Sequence, residues 1–190
     1  MLAMLPKTGV SVAIDLAAGT GDISRRLAFR YPSARIVALD LSPRMLREAG
    51  ALSDGIMPVV GDMCHPPIKD SAADLVTGSY ALRNAPDLEA ALAETYRMLR
   101  CGGTAAFLDF SKPSNPVLQR IEHAVLWLWG SLWGLLFHAN PSVYGYIALS
   151  LARFPSRPAL HRSLQSRGFL PGPAVRFFCG IIETFVISRP

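Results

Sequence analysis

Five short apolar runs recur through the first 110 residues: Ser11 to Leu16, Ala34 to Leu39, Ile56 to Val60, Asp74 to Ser79 and Thr104 to Phe110. Each is too short for a buried helix and is followed by small or acidic residues, so each reads as a buried strand. Helical patterns lie between them. Asp22 to Arg30 places Ile23 and Leu27 on one face, and Ser42 as N-cap with Pro43 at the first helical position opens a helix to about Gly50. Asp87 caps a third helix, whose Leu88, Leu92, Thr95 and Leu99 share a face and which Gly102–Gly103 should end. Strand–helix alternation with short connections implies an α/β fold built on a doubly wound, mostly parallel sheet.

After Pro113 the pattern changes. Asn115 to Phe137, Ser142 to Arg153 and Ser156 to Arg167 read as three successive helices, and Ala174–Phe178 with Thr184–Ser188 as a closing strand pair. A chain of 190 residues fits one core. The expected division of this single domain is a cofactor-binding half (1–113), a helical insertion after the fifth strand (114–168) and the strand pair (169–190).

Charge is unevenly placed. The net +5 comes from residues 151–190, where six arginines face Glu183 alone, while residues 1–150 balance. No Lys, Arg, Asp or Glu occurs between Glu122 and Arg153. A neutral body argues against nucleic acid, and an apolar stretch leading into a basic one suits a membrane surface. Within it, the 14 residues from Ala124 to Phe137 fall short of the about 20 that a membrane span needs. Trp129 and Trp133, one turn apart, suit an interfacial face or the mouth of a prenyl-chain groove; plain packing on the sheet is the alternative. Cys64, Cys101 and Cys179 form no CxxC pair, so neither a disulfide framework nor a metal site is expected, and a reducing cytoplasm is. The first sixteen residues lack a basic segment ahead of an apolar core, unlike a signal peptide.

The chemistry gathers where the strands end. Asp15-Leu16-Ala17-Ala18-Gly19-Thr20-Gly21-Asp22 passes from strand to helix, the place where open α/β sheets bind ligands. Asp40, nineteen residues beyond Gly21, closes the second strand and can accept from both hydroxyls of a ribose. Such a turn serves either a dinucleotide or S-adenosylmethionine. The third small position is Ser24, and Asp15 and Asp22 flank the turn, which suits a sulfonium and an amino group better than a pyrophosphate. Gly61–Asp62 ends the third strand and offers a carboxylate to an adenine amino group or a cap to the next turn.

These blocks, with Ala38-Leu39-Asp40, Ala81-Leu82-Arg83-Asn84, Leu99-Arg100-Cys101-Gly102-Gly103 and Asp109-Phe110-Ser111-Lys112-Pro113, resemble the ubiquinone/menaquinone C-methyltransferases of the UbiE/MenG type. Tyr144-Gly145-Tyr146-Ile147, Phe154-Pro155 and Gly168-Phe169 continue the match in order. The resemblance implies a Rossmann-like class I methyltransferase that moves the methyl group of S-adenosylmethionine to a ring carbon of a polyprenyl quinol at the inner face of a membrane. It assigns Thr20 and the Gly19/Gly21 turn to the methionine moiety, Asp40 to the ribose, Asp62 and Met63 to the adenine, and Ser79 to the cofactor pocket, with Asp15, Ala17 and Leu41 as further cofactor-binding candidates. Arg83 and Asn84 would face the quinol head group, with Arg83 able to bind a phenolate or else to pair with a carboxylate such as Asp109. His65 is the nearest candidate for proton transfer, or an ordinary loop residue. Three departures stand out: the family's helical segment before the first strand is short here, Leu149-Ser150 replaces a Glu-Ser pair, and Phe185 replaces a His. A methyltransferase for another lipid-like or aromatic acceptor, or an inactive cofactor-binding relative at the membrane, remains an alternative, and the sequence leaves a homo-oligomer open.

Overall fold

The computed structural model describes residues 1–49, 55–113, 115–138 and 149–190. Seven strands form one sheet: β1 (Val12–Leu16), β2 (Arg35–Asp40), β3 (Ile56–Val60), β4 (Ala73–Ser79), β5 (Leu99–Phe110), β6 (Leu170–Phe177) and β7 (Ile182–Ser188). Their order is β3-β2-β1-β4-β5-β7-β6, with β1 to β5 parallel and β7 antiparallel between β5 and β6. The chain therefore reverses its winding between β1 and β4, which leaves a crevice beyond their carboxyl ends.

Alternating side chains send β1 and β5 into two cores. Ile14, Leu16 and Phe107 face one side, covered by α3 (Leu88–Met98) and α5 (Arg157–Ser166); Ala13 and Ala106 face the other, covered by α1 (Asp22–Arg30) and α2 (Pro43–Glu48). The caps at Ser42 and Asp87 form as the sequence predicts, while Ser156, at the N-cap position of α5, makes no side-chain cap bond. Ser42 Oγ accepts from the Met45 amide at 3.3 Å and Asp87 Oδ1 from the Ala90 amide at 3.0 Å.

Two boundaries differ from expectation. The third helix ends at Met98 rather than at Gly102–Gly103, and β5 begins at Leu99, paired with Ala73. Leu99 is fully buried as a strand residue, so its helical spacing misleads; Gly102 and Gly103 lie inside the strand, where pairing shifts from Ala73–Leu99 to Leu75–Thr104. β6 begins at Leu170, ahead of Pro171 and Pro173, because an edge strand tolerates proline.

The insertion carries α4 (Pro116–His138). Of the expected helix from Ser142 to Arg153, residues 149–153 are helical, and the rest, with the Tyr144-Gly145-Tyr146 motif, lies outside the described residues. Among the described residues no helix is long and apolar enough to cross a membrane.

Candidate active site

The β1–α1 turn is built from left-handed residues: Ala17 has φ +51°, Gly19 +57° and Gly21 +82°. An alanine held there is unusual for a residue with a Cβ, and the turn is tied down from two sides. Ala18 donates its amide to the Leu39 carbonyl at 3.0 Å, and Gly19 donates to Asp40 Oδ2 at 2.8 Å. Asp40 Oδ1 accepts from the Ser42 amide at 2.8 Å. Each oxygen of this half-buried carboxylate thus carries one amide and keeps acceptor capacity for a ligand hydroxyl.

Asp62, also half-buried just after β3, accepts the Cys64 amide through Oδ1 at 2.8 Å, so its turn-capping role is real. Met63 is buried in the main core. Thr20 Oγ1 donates to Asp22 Oδ2 at 3.3 Å, Leu41 is exposed after β2, and Ser79 is half-buried at the end of β4. The structure brings Ala17, Gly19, Asp40, Leu41, Asp62 and Ser79 to the carboxyl ends of four adjacent strands.

Asp15 sits elsewhere. It is buried beneath the turn, with Oδ2 accepting from Ser24 Oγ at 2.7 Å and Oδ1 from Thr77 Oγ1 at 2.8 Å. Burial pushes its carboxyl up to about 6, against the two hydroxyls. It braces the turn from below rather than presenting an oxygen to the crevice. Sequence reasoning missed Thr77 because the contact crosses from β1 to β4.

The donor set fits S-adenosylmethionine. Two half-buried carboxylates stand at successive strand ends, an arrangement for ribose and amino groups, and the guanidinium at the turn, Arg25, is engaged by the Thr20 carbonyl at 2.8 Å and by Asp22. Asp40 and Asp62 are the residues that would hold it.

The same end of β4 leads to a second site. Tyr80 follows Ser79 with φ +55°, and a 3-10 turn, Leu82–Asn84, carries Arg83. The Arg83 guanidinium is nearly buried, 5.8 Å from the Tyr80 ring centroid and 5.0 Å from that of Phe110. Its Nη1 donates to Ser150 Oγ at 2.7 Å, and Nε lies 3.2 Å from Asp109 Oδ1 as an ion pair without hydrogen-bond alignment. Asp109 Oδ2 accepts the Arg83 amide at 3.1 Å, and burial pushes this carboxyl up to about 6 despite the amides and the guanidinium. The carboxylate pairing foreseen for Arg83 is therefore present, and it does not withdraw the side chain from the site.

Arg83 and Asn84 line a cavity of about 590 Å³ with Leu82, Leu88, Leu149 and Phe154 among its walls and Arg153 at its edge. That volume suits a small organic ligand. Asn84 Nδ2 donates to the Tyr80 carbonyl at 2.8 Å. His65 is exposed, with Nδ1 against the Cys64 carbonyl, the ordinary loop role. Phe185, in the family's His position, is buried beside Phe107 and the His161 ring.

Comparison with known proteins agrees with this geometry. A demethylmenaquinone methyltransferase of Thermobifida fusca is 36% identical over 169 residues, covering 83% of this chain and 68% of the relative. The ubiquinone/menaquinone biosynthesis C-methyltransferase UbiE of Dinoroseobacter shibae is 35% identical over 162 residues, 82% of this chain and 65% of the relative. The chain thus spans about two thirds of the length of these curated relatives. Among solved structures, an S-adenosylmethionine-dependent methyltransferase from Mesorhizobium loti superposes with a TM-score of 0.71 at 17% identity, covering 99% of this chain and 95% of that one. The fold is accordingly the Rossmann-like class I methyltransferase fold. With the ubiE/COQ5 methyltransferase family model matching residues 1–186, the chain belongs to that family.

Proposed function

We propose that this chain binds S-adenosylmethionine in the crevice beyond β1, β2 and β3 and catalyses transfer of its methyl group to a ring carbon of a polyprenyl quinol held in the cavity at Arg83. The observation that carries this reading is a shared strand end. Ser79 closes β4 at the crevice, and four residues later Arg83 enters the cavity wall, so donor and acceptor sites meet at one point of the sheet. The names of the relatives, a demethylmenaquinone methyltransferase and a C-methyltransferase of ubiquinone and menaquinone biosynthesis, supply the acceptor class.

Bound S-adenosylmethionine supplies an activated methyl group on a sulfonium. Asp40 and Asp62 orient it, and the left-handed turn at Gly19 and Gly21 lets the backbone approach closely. Holding the acceptor carbon in line is the larger part of what the protein contributes. A quinol ring carbon becomes nucleophilic as its neighbouring hydroxyl loses a proton to water. The Arg83 guanidinium stabilises the phenolate oxygen that results. As the carbon–methyl bond forms the methyl–sulfur bond breaks, the thioether leaves, and the ring carbon then gives up its own proton to water while the phenolate oxygen is still held. Asp109, Ser150 and the two aromatic rings fix the guanidinium in the wall; they are positioning residues. The apolar walls at Leu82, Leu88, Leu149 and Phe154 receive the prenyl chain, whose remainder meets the membrane surface along 124–137.

Leu149 in this wall, where the family resemblance expects Glu, favours one second reading, a different lipid-like aromatic acceptor. Calorimetric titration with S-adenosylmethionine tests the donor site. Heat of binding is expected from the native chain, weakened at least about tenfold in Asp40→Asn, which loses one charged acceptor. No heat from the native chain would remove the cofactor claim. Turnover unchanged in Arg83→Ala would remove the role given to that residue.

A further inference from the structure

The antiparallel strands bring a second apolar feature to the active-site end of the sheet. Phe110, the last residue of β5, pairs with Ile182, and Ser111 donates its amide to the Ile181 carbonyl at 2.8 Å. The tip of the β6–β7 hairpin therefore lies beside the carboxyl ends of the parallel strands and at the root of α4. At this tip Phe177 is 43% and Phe178 74% exposed, and Phe178 is held at φ +51°. An aromatic side chain in the left-handed region with most of its surface in water gains nothing from packing. Arg176, also exposed, stands next to the pair.

α4 carries the other exposed apolar surface. Gln119, Glu122, Leu126 and Trp133 are among its more covered side chains, while Ile121, Val125, Leu128, Trp129 and Leu132 are each about half exposed or more. A surface helix ordinarily turns its charged side chains outward and its apolar ones inward. Its one carboxylate, Glu122, is buried with Oε1 lacking a hydrogen-bond partner among the described residues. Arg120 on α4, Arg176 beside the hairpin tip and Arg153 in the lining of the Arg83 cavity are exposed.

We infer that α4 and the Phe177–Phe178 hairpin tip together dock this chain onto an anionic lipid bilayer, with α4 flat in the interface and the mouth of the Arg83 cavity turned toward the lipid. Two sequence-distant elements, each exposing apolar side chains beside an arginine, Arg120 and Arg176, start from the end of the sheet that holds the proposed acceptor site. Exposed apolar surface flanked by arginines is complementary to acyl chains beneath anionic headgroups. The inference rests on the reading of a membrane-borne acceptor, and it extends that reading to a second anchor and a fixed orientation.

All three tryptophans, Trp127, Trp129 and Trp133, lie on α4, so its insertion is directly visible. The full chain is mixed with vesicles of phosphatidylcholine and phosphatidylglycerol, and with phosphatidylcholine alone. Tryptophan emission is expected to shift to the blue and to be quenched by brominated lipid, on the anionic vesicles most strongly. Phe177→Glu/Phe178→Glu lowers partition at least about tenfold, and Arg176→Ala roughly fivefold. Phe29→Glu is the control: Phe29 is 91% exposed between Arg26 and Arg30, at the opposite end of the sheet, and its change leaves partition as it was. Thermal unfolding followed by circular dichroism identifies any variant that fails to fold, and Phe178→Ser then replaces it. No emission shift, partition unaffected by the hairpin variants, equal loss in Phe29→Glu, or sedimentation showing this face covered by a second copy each overturns the inference. Partition is read with neither donor nor acceptor present, so its failure leaves the methyl-transfer reading standing, and failure of turnover leaves the docking result standing.

Discussion

Arg83 and Asp109 form a buried couple whose removal from one side should cost more than removal from both. Their side chains are 8% and 3% exposed, so Arg83→Met leaves the Asp109 carboxylate in a site with little water. Breaking such a pair typically costs about 3–5 kcal/mol. The carboxyl is already pushed up to about 6 with the guanidinium in place, and it rises further without it, so protonation relieves part of the penalty in acid. A raised carboxyl pKa means that stability is retained at low pH and lost as pH increases through the folded value. Arg83→Met should therefore lose about 3 kcal/mol or more at pH 8 and clearly less at pH 5. Arg83→Met/Asp109→Asn removes both charges, keeps one acceptor oxygen where Asp109 Oδ2 takes the Arg83 amide and Oδ1 the Phe110 amide, and sets a thioether against the Tyr80 and Phe110 rings. That double variant should be more stable than the single one at pH 8, though still below the native chain, since one of those amides loses its acceptor along with the two cation–π contacts and the bond to Ser150. Urea titration at both pH values reads these differences. A loss below about 1 kcal/mol at pH 8 for Arg83→Met, or a double variant no more stable than the single one, refutes the reasoning.

Asp15 titrates with the same sign. Its fully buried carboxyl is favoured in the protonated form, so stability is full below about pH 4 and declines as pH passes about 6, by on the order of 3 kcal/mol. Asp15→Asn should flatten that part of the stability profile, and an unchanged profile would contradict the assignment. At Gly78, near the end of β4, a Cβ would come 2.9 Å from Phe107 Cδ1 and 3.0 Å from Ala81 Cβ, with Phe107 fully buried. Gly78→Ala should destabilise by about 1–3 kcal/mol in thermal unfolding; a neutral result would show that the strand end yields.

What could be read from the sequence was local in origin. The five parallel strands, the caps at Ser42 and Asp87, and the turn from Ala17 to Gly21 each announce themselves within a few residues. Contacts between distant strands do not. The Asp15–Thr77 bond removes Asp15 from the crevice wall, and nothing near either residue signals it. Leu99 satisfies helix and strand patterns alike, so only its pairing with Ala73 decides between them. The walls contributed by residues 149–155 depend on how the insertion folds back over the 3-10 turn at Arg83, as does the bond from Arg83 to Ser150. An apolar stretch after Glu122 was legible, but not that its helix faces outward, nor that a hairpin tip sixty residues on joins it at the same end.

The central claim is methyl transfer to carbon, and one measurement addresses it directly. Deuterated-methyl S-adenosylmethionine is incubated with the chain and a demethylmenaquinol or an unmethylated ubiquinol precursor in anionic vesicles, and the product is fragmented by mass spectrometry. The account predicts one trideuteromethyl group on a ring carbon, absent with Arg83→Ala. A label on oxygen, or no labelled quinone from a chain that binds the donor, contradicts it.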